Sequence, residues 1–164
     1  MPKTIIIAID PGFDRCGYAI GSLEGNKKTI LDFGIISTDR KLPLYLRFQQ
    51  LSTQLDVLID QFKPQEAAME NLFLQKNHKT ALAVSESRGV IMSCFFRADL
   101  TLAQYTPLQI KQAITGFGRA DKKAMEKMVR LELSLPLEQK VIDDAIDALA
   151  CFLTHCASRT VNSY

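Results

Sequence analysis

Apolar positions along the chain follow two patterns, short β-branched runs and longer stripes at helical spacing. Residues 4–9 form a continuous apolar run, which predicts a strand that is buried on both faces. Residues 16–22 and 29–37 predict two more strands, and Gly25-Asn26 in the connection between them suits a hairpin. The chain therefore begins with a predicted meander of three antiparallel strands.

A helical stripe follows the meander. Its apolar residues, from Leu44 to Phe62, recur at intervals of 4, 3, 4, 3 and 4, which predicts one amphipathic helix that ends before Pro64. The remaining patterns predict strands at 67–70 and 100–105 and helices at 76–96, 107–115, 122–133 and 142–156. This order, without repeat or linker, predicts a single α/β domain over residues 1–164, with a mixed five-stranded sheet flanked by helices.

Composition places the chain among ordinary globular proteins. Apolar residues make up 47% of its 164 residues and charged residues 23%, which excludes disordered and fibrous classes. No apolar run approaches the roughly 18 residues of a membrane span, and the N-terminus lacks the pattern of a signal peptide. We therefore expect a cytoplasmic protein without membrane contact. Its four cysteines form no CxxC pair, so we expect reduced and mostly buried thiols.

Charge is distributed unevenly along the chain. Residues 76–130 contain ten basic and four acidic residues, a net charge of +6, whereas the rest of the chain carries −4. A basic segment within a balanced chain predicts a localised anion-binding face. On charge alone, a solvated helix surface explains the same residues equally well.

Acidic residues occupy positions where they could meet. Asp10 and Glu70 end the first and fourth predicted strands, and Asp144 and Asp147 share one face of the last helix. Spacing does not exclude their neighbour Asp143. If the two strands are adjacent and the helix covers them, four carboxylates converge. Oxygen-only ligands select Mg²⁺ or Mn²⁺, and two such ions would suit hydrolysis of a phosphodiester. Taken singly, Asp10 is more typical of a turn than of a metal site, Glu70 is a weaker signal still, and Asp144 and Asp147 could belong to a helix surface.

Four segments together carry a resemblance to a known family. They are IDPGFDRCGYAI at 9–20, MENLFLQKNHKTAL at 69–82, SRGV at 87–90 and DDAIDALACFLTHC at 143–156. In this order they resemble the RuvC-type Holliday junction resolvases, whose fold is ribonuclease H-like. The resemblance implies a Mg²⁺-dependent crossover junction endodeoxyribonuclease of recombination and DNA repair. Such an enzyme resolves four-way DNA junctions by two symmetric nicks.

The resemblance also assigns roles to individual residues. It implies Asp10, Glu70, Asp144 and Asp147 as catalytic metal ligands, with Asp143 as a neighbour and not a ligand. It implies two Mg²⁺ ions per active site, with Mn²⁺ as a substitute, and Lys122 as a catalytic cation. Together with the basic segment, it predicts DNA contacts at Phe73, Lys76, Lys111, Arg119, Lys122 and Lys123. His155 is interpreted as a structural residue.

Two symmetric nicks require two active sites, whereas the chain offers one acid cluster, so we expect a homodimer. The apolar side of the 76–97 helix, with Ile91 and Phe95 among its residues, is the expected contact. A branch-migration helicase complex is a partner that only the family implies. Two alternatives remain open. One is another ribonuclease H-like nuclease, acting on RNA–DNA hybrids or on ends, and the other is a non-catalytic DNA-binding module.

Overall fold

The computed structural model describes residues 2–71, 78–136 and 138–161, without the side chains of residues 78, 79, 160 and 161. Two predicted DNA contacts, Phe73 and Lys76, lie outside the described residues. Their assignment therefore stays a prediction.

The described strands form one mixed sheet. They are β1 (Thr4–Asp10), β2 (Arg15–Glu24), β3 (Lys27–Ser37), β4 (Glu66–Glu70) and β5 (Thr101–Tyr105), in the spatial order β3-β2-β1-β4-β5. The first three pair antiparallel, as predicted, while β4 is parallel to β1 and β5 is parallel to β4. The predicted α/β class with a five-stranded mixed sheet is confirmed.

The described helices also agree with the patterns. They are α1 (Leu44–Phe62), α2 (His78–Arg97), α3 (Pro107–Thr115), α4 (Lys122–Glu132) and α5 (Asp143–Val161). Helix α3 has the predicted bounds because local signals fix both of its ends. Thr106 and Gln109 form a capping box around Pro107, and Gly116 ends the helix in the left-handed conformation.

Helices cover both faces of the sheet, which explains why β1 reads as a continuous apolar run. Ile7 and Ile9 face the core formed with α1 and α2, whereas Ile6 and Ala8 face the core formed with α3, α4 and α5. The dimer contact expected on α2 is wrong for two of its residues. Ile91 and Phe95 are 0% and 1% exposed and pack against the sheet. These two residues of α2 therefore belong to the hydrophobic core and are not available for contact with a second chain.

Helix α5 is tied to the sheet by a buried histidine. His155 Nδ1 lies 2.7 Å from the Tyr105 hydroxyl, and Nε2 lies 2.8 Å from Glu66 Oε2. The same glutamate pairs with Arg159 at 3.2 Å. The structural interpretation of His155 is thus confirmed, because both ring nitrogens are engaged in holding α5 against β4 and β5.

Two further expectations concern burial and membranes. All four cysteines are free and buried, as the sequence predicted. Within the described ranges, we find no helix with the length and apolar content that crossing a membrane requires. The cytoplasmic location stays a prediction.

Candidate active site

Two acids lie at the same end of the sheet because their strands are parallel neighbours. Ile9 of β1 pairs with Met69 of β4, so Asp10 and Glu70, one residue further on, end their strands side by side. The end of β4 is held in place from its other side as well. The Asn71 N–H donates to the Tyr105 carbonyl at 2.7 Å, which continues the pairing of β4 with β5 past Glu70.

Glycines allow a third acid to approach Asp10. Gly17 is the partner of Asp10 in the ladder between β1 and β2. A Cβ atom on Gly17 would overlap the backbone carbonyl of Asp144. Position 17 of β2 therefore needs a glycine, because the first turn of α5 packs directly against it. Gly12 is needed for a similar reason, because a Cβ there would overlap the Arg15 carbonyl in the turn that joins β1 to β2. The first turn of α5 therefore lies directly on the sheet, beside Asp10.

The three acids at the start of α5 differ in exposure. The Asp143 side chain is 75% exposed and lies 3.7 Å from the Lys122 ammonium group. The Asp144 side chain is 26% exposed, and its Oδ2 lies 3.1 Å from Arg15 Nε. That oxygen is buried, and among the described residues it has no partner in hydrogen-bond geometry. Asp147, one turn further on, lines a groove together with Glu70.

The acids of β1, β4 and α5 are close enough to change each other's ionisation. Burial raises the pKa of Asp10 from its ordinary 3.8 to about 8, and Asp147, Glu70 and Asp144 add to the rise. Burial, followed by the charge of Asp147, likewise raises the pKa of Glu70. Burial is also the main reason that the pKa of Asp147 is raised. The structure therefore places the four predicted acids in one electrostatic neighbourhood.

Cations oppose this rise in pKa. Lys122 lowers the pKa of both Asp10 and Asp147, whereas Lys111 and Arg88 lower that of Glu70. Positive charge is thus already used to stabilise the ionised carboxylates. A divalent cation would do the same more strongly, since two of its charges would act at contact distance.

The donor set fits a hard divalent cation. All the candidate ligands are carboxylate oxygens, which suit Mg²⁺ and Mn²⁺, and the buried Asp144 Oδ2 lacks the hydrogen bond that such an atom normally makes. Within the part of the chain that the structure describes, no three Asp, Glu, His or Cys side chains are positioned to hold one ion as they stand. Coordination by several of these acids therefore requires side-chain rotation.

A groove of about 680 Å³ adjoins the acids, and its lining holds three lysines beside five acidic side chains, Asp121, Glu126 and Asp143 among them. Its walls come from α3, α4 and the start of α5, and it contains Glu70 and Asp147 together with three predicted DNA contacts, Lys111, Lys122 and Lys123. Arg119 lies on the turn before α4, is exposed, and is not among the residues that line this groove. The structure therefore brings three of the described basic residues to the acids and leaves Arg119 at the periphery.

Sequence reasoning missed one residue that organises the site. Arg88 is only 8% exposed and donates to the Glu70 carbonyl, to Gln104 Oε1 at 2.7 Å and to Asn71 Oδ1 at 3.4 Å. It fixes the backbone at the point where β4 presents Glu70. The signal was present in the SRGV segment, but the sequence does not reveal that this arginine is buried or which acceptors it reaches.

A mixed sheet with acids at the ends of two parallel strands, facing further acids on a helix beside a groove that contains three lysines, defines a nuclease of ribonuclease H-like architecture. The family model described as "Crossover junction endodeoxyribonuclease RuvC" matches residues 6–155. The chain belongs to this family of metal-dependent nucleases.

Individual relatives agree with this membership. The crossover junction endodeoxyribonuclease RuvC of Petrotoga mobilis is 41% identical over 151 residues, which cover 92% of each chain. That of Finegoldia magna is 44% identical over 151 residues, covering 92% of this chain and 91% of the relative. Among solved structures, T. thermophilus RuvC in complex with a Holliday junction substrate matches with a TM-score of 0.90. It is 27% identical, and the match covers 98% of this chain and 97% of that one.

Proposed function

We propose that this chain cuts four-way DNA junctions at two opposed phosphodiesters in recombination and DNA repair. The observation that carries the proposal is the convergence of the acids of β1, β4 and α5 at the edge of a lysine-lined groove. Family membership supports the same function, as does the structural similarity to a RuvC bound to a Holliday junction substrate. The products would be 5′-phosphate and 3′-hydroxyl ends that a ligase can join.

The proposed metal ligands are Asp10, Glu70, Asp144 and Asp147, with two Mg²⁺ ions per site and Mn²⁺ as a substitute. These carboxylates would hold the ions, which when bound would supply an activated water and offset charge on the reacting phosphate. The carboxylates contribute by being held at the sheet edge before substrate arrives, Asp10 and Glu70 by their strands and the other two by α5. Their partial burial strengthens every charge interaction at the site.

The lysines of the groove act on the DNA. Lys122 is close enough to Asp10 and Asp147 to lower the pKa of both. A phosphate held beside those acids would therefore lie within reach of its ammonium group, which would oppose negative charge growing during hydrolysis. Lys111 and Lys123 line the same groove and would hold neighbouring phosphates. Arg119, Lys76 and Phe73 complete the predicted DNA contacts, with Phe73 at the junction centre.

One chain supplies one such site, so the two nicks of a symmetric resolution would come from a homodimer. We further propose that residues 1–164 act as a single nuclease domain, since one sheet carries helices on both faces. A branch-migration helicase complex is the expected partner in the cytoplasm.

Substrate preference tests the proposal. We expect the protein with Mg²⁺ to place two symmetric nicks in a synthetic four-way junction and to leave a linear duplex and an RNA–DNA hybrid of the same sequence intact. Mapping both nicks on end-labelled strands measures this. Preferential cutting of the hybrid would indicate the other ribonuclease H-like activity. Junction binding without any metal-dependent nick would indicate a non-catalytic module.

A further inference from the structure

An aromatic side chain projects into solvent close to the groove that contains Lys111, Lys122 and Lys123. Phe117 is 76% exposed and occupies the middle of the Gly116–Phe117–Gly118 turn between α3 and α4. None of the roles proposed above uses it. An exposed phenylalanine gains nothing for folding, because its apolar surface stays in water.

The turn holds this side chain outward on a fixed backbone. Gly116 has a φ of 75°, and its N–H donates to the Gln112 carbonyl at 2.9 Å. The Phe117 N–H donates to Thr115 Oγ1 at 3.1 Å, and the Phe117 carbonyl accepts from the Ala120 N–H at 3.2 Å. The backbone of Phe117 is therefore held from both sides. Ordering this segment for binding would cost little entropy.

The sequence around Phe117 is rich in cations. Lys111 lies six residues before Phe117, and Arg119, Lys122 and Lys123 follow Phe117 within six residues. The intervening Asp121 caps α4, where its Oδ1 accepts from the Ala124 N–H at 2.8 Å. An apolar ring among lysines and arginine is complementary to a polyanion that also offers flat aromatic faces. Single-stranded nucleic acid is bound by this combination of stacking and positive charge.

The turn is also close to the groove. Ala120 and Asp121 line the groove, and three residues separate Phe117 from Ala120, a span of at most about 11 Å. At about 3.4 Å per nucleotide along a strand, this distance corresponds to roughly three nucleotides.

We propose that Phe117 stacks on a DNA base left unstacked at the branch point, within about three nucleotides of a phosphate that lies beside Ala120 in the groove. This contact rests on the proposed function and adds to it a second aromatic contact, separate from Phe73. Because every base has a flat face, the contact would strengthen binding of distorted DNA without reading sequence. Linear duplex, whose bases are all stacked, would gain nothing from it.

Fluorescent base analogues test the contact directly. Four-way junctions carry 2-aminopurine at each position next to the branch point and on either side of the cleaved phosphate, and EDTA prevents cutting. We expect wild-type protein to change the fluorescence at one of these positions. Phe117→Ala and Phe117→Leu should lose that change and raise the junction Kd about 5- to 150-fold, the range for loss of one stacked base. Phe117→Trp should retain both signals.

The leucine variant separates stacking from plain apolar contact, because it keeps apolar surface but has no ring. Leu131→Ala is the matched control, since Leu131 is 70% exposed on α4 and lies at the other end of that helix from the turn. We expect this variant to bind the junction and to change the 2-aminopurine fluorescence as wild-type protein does. Wild-type affinity and fluorescence in Phe117→Ala, or in Phe117→Leu, would overturn the stacking contact and leave the proposed function standing. Failure of wild-type protein to prefer the junction over linear duplex would overturn both.

Discussion

Asp10 shows at the scale of one residue how the site resists ionisation. Its burial and three neighbouring carboxylates raise its pKa to about 8, so without a divalent cation it is largely protonated at neutral pH. A ligand must be deprotonated, and cation binding therefore competes with the proton. The folded protein accepts a residue that is unfavourable for its own stability because the site needs a carboxylate there.

The raised pKa of Asp10 predicts the direction in which the free energy of unfolding changes with pH. Since the pKa of Asp10 is higher in the folded than in the unfolded protein, the folded state holds a proton that the unfolded state has released between about pH 4 and pH 8. Its contribution to the free energy of unfolding is fully present below about pH 4 and is lost as the pH rises through about 8. The Asp10→Asn variant has no titratable group at this position, so its free energy of unfolding does not fall with pH for this reason.

We therefore expect the stability of Asp10→Asn in EDTA to increase relative to wild type from pH 5 to pH 8, by a few kcal/mol at about 1.4 kcal/mol per pKa unit. Urea unfolding at several pH values measures it. Asp60→Asn, which alters an acid that is 78% exposed, is the surface control. A difference between Asp10→Asn and wild type that stays constant with pH would show that the pKa of Asp10 is not raised.

Arg88 acts on the site through Glu70 and is a positioning residue. Arg88→Gln removes its hydrogen bonds to the Glu70 carbonyl and to Gln104, so we expect about 1–3 kcal/mol lower stability and at least a tenfold lower cleavage rate on bound junction. Arg88→Lys keeps the charge and should recover part of the rate.

The control for Arg88 is Arg97→Gln. Arg97 forms a surface pair with Asp56 and is 51% exposed, so its loss should change stability little and leave cleavage unchanged. Single-turnover cleavage and urea unfolding measure both variants. Equal rates for Arg88→Gln and Arg97→Gln would remove the positioning role of Arg88.

At the scale of secondary structure, the sequence predicted most of the fold because the local signals are strong. The regular apolar spacing between Leu44 and Phe62 matches α1, and the capping box with Gly116 fixes α3. Periodicity cannot distinguish a core stripe from a contact stripe. For this reason Ile91 and Phe95 were assigned to a dimer contact although both are buried against the sheet.

Contacts between elements were beyond the reach of the sequence. Spacing did not decide whether Asp143 or Asp144 faces the site, and the structure separates them by exposure. The carbonyl of Asp144 rests on Gly17, and neither residue signals this contact in the sequence. Sequence patterns therefore gave the strand ends that hold Asp10 and Glu70, but not the way in which α5 docks on them.

The docking of α5 yields a prediction of its own. Gly17→Ala would place a methyl group where the Asp144 carbonyl lies, so the first turn of α5 must shift away from β2. We expect a loss of about 1–3 kcal/mol in stability, as for overpacking, and at least a tenfold loss of cleavage. Thermal unfolding and single-turnover cleavage measure these effects.

Gly89→Ala is the matched control for that prediction. Outside its own helix and its chain neighbours, a Cβ atom there meets no described residue within 4 Å, and the residue lies inside α2. Alanine should stabilise this helix by about 0.5–1 kcal/mol. If Gly17→Ala were as stable and as active as Gly89→Ala, α5 would not depend on this close approach.

At the scale of the whole molecule, opposite charges are arranged side by side. The basic segment predicted from composition contributes Lys111, Lys122 and Lys123 to one wall of a groove, and the acids Glu70 and Asp147 lie in the same groove. DNA would be attracted by the lysines and brought against carboxylates that repel it unless a cation intervenes. Binding and cutting should therefore be separable by altering the acids alone.

Metal binding and junction cutting by the acid variants test the central claim most directly. Mn²⁺ binding, followed by electron paramagnetic resonance, and Mg²⁺-dependent nicking of a four-way junction are compared in Asp10→Asn, Glu70→Gln, Asp144→Asn, Asp147→Asn and Asp143→Asn. We predict that the first four variants bind Mn²⁺ at least tenfold more weakly and cut no junction, yet retain junction binding in EDTA. Asp143→Asn should keep all three properties. Wild-type Mn²⁺ binding and nicking in the first four variants would contradict the account.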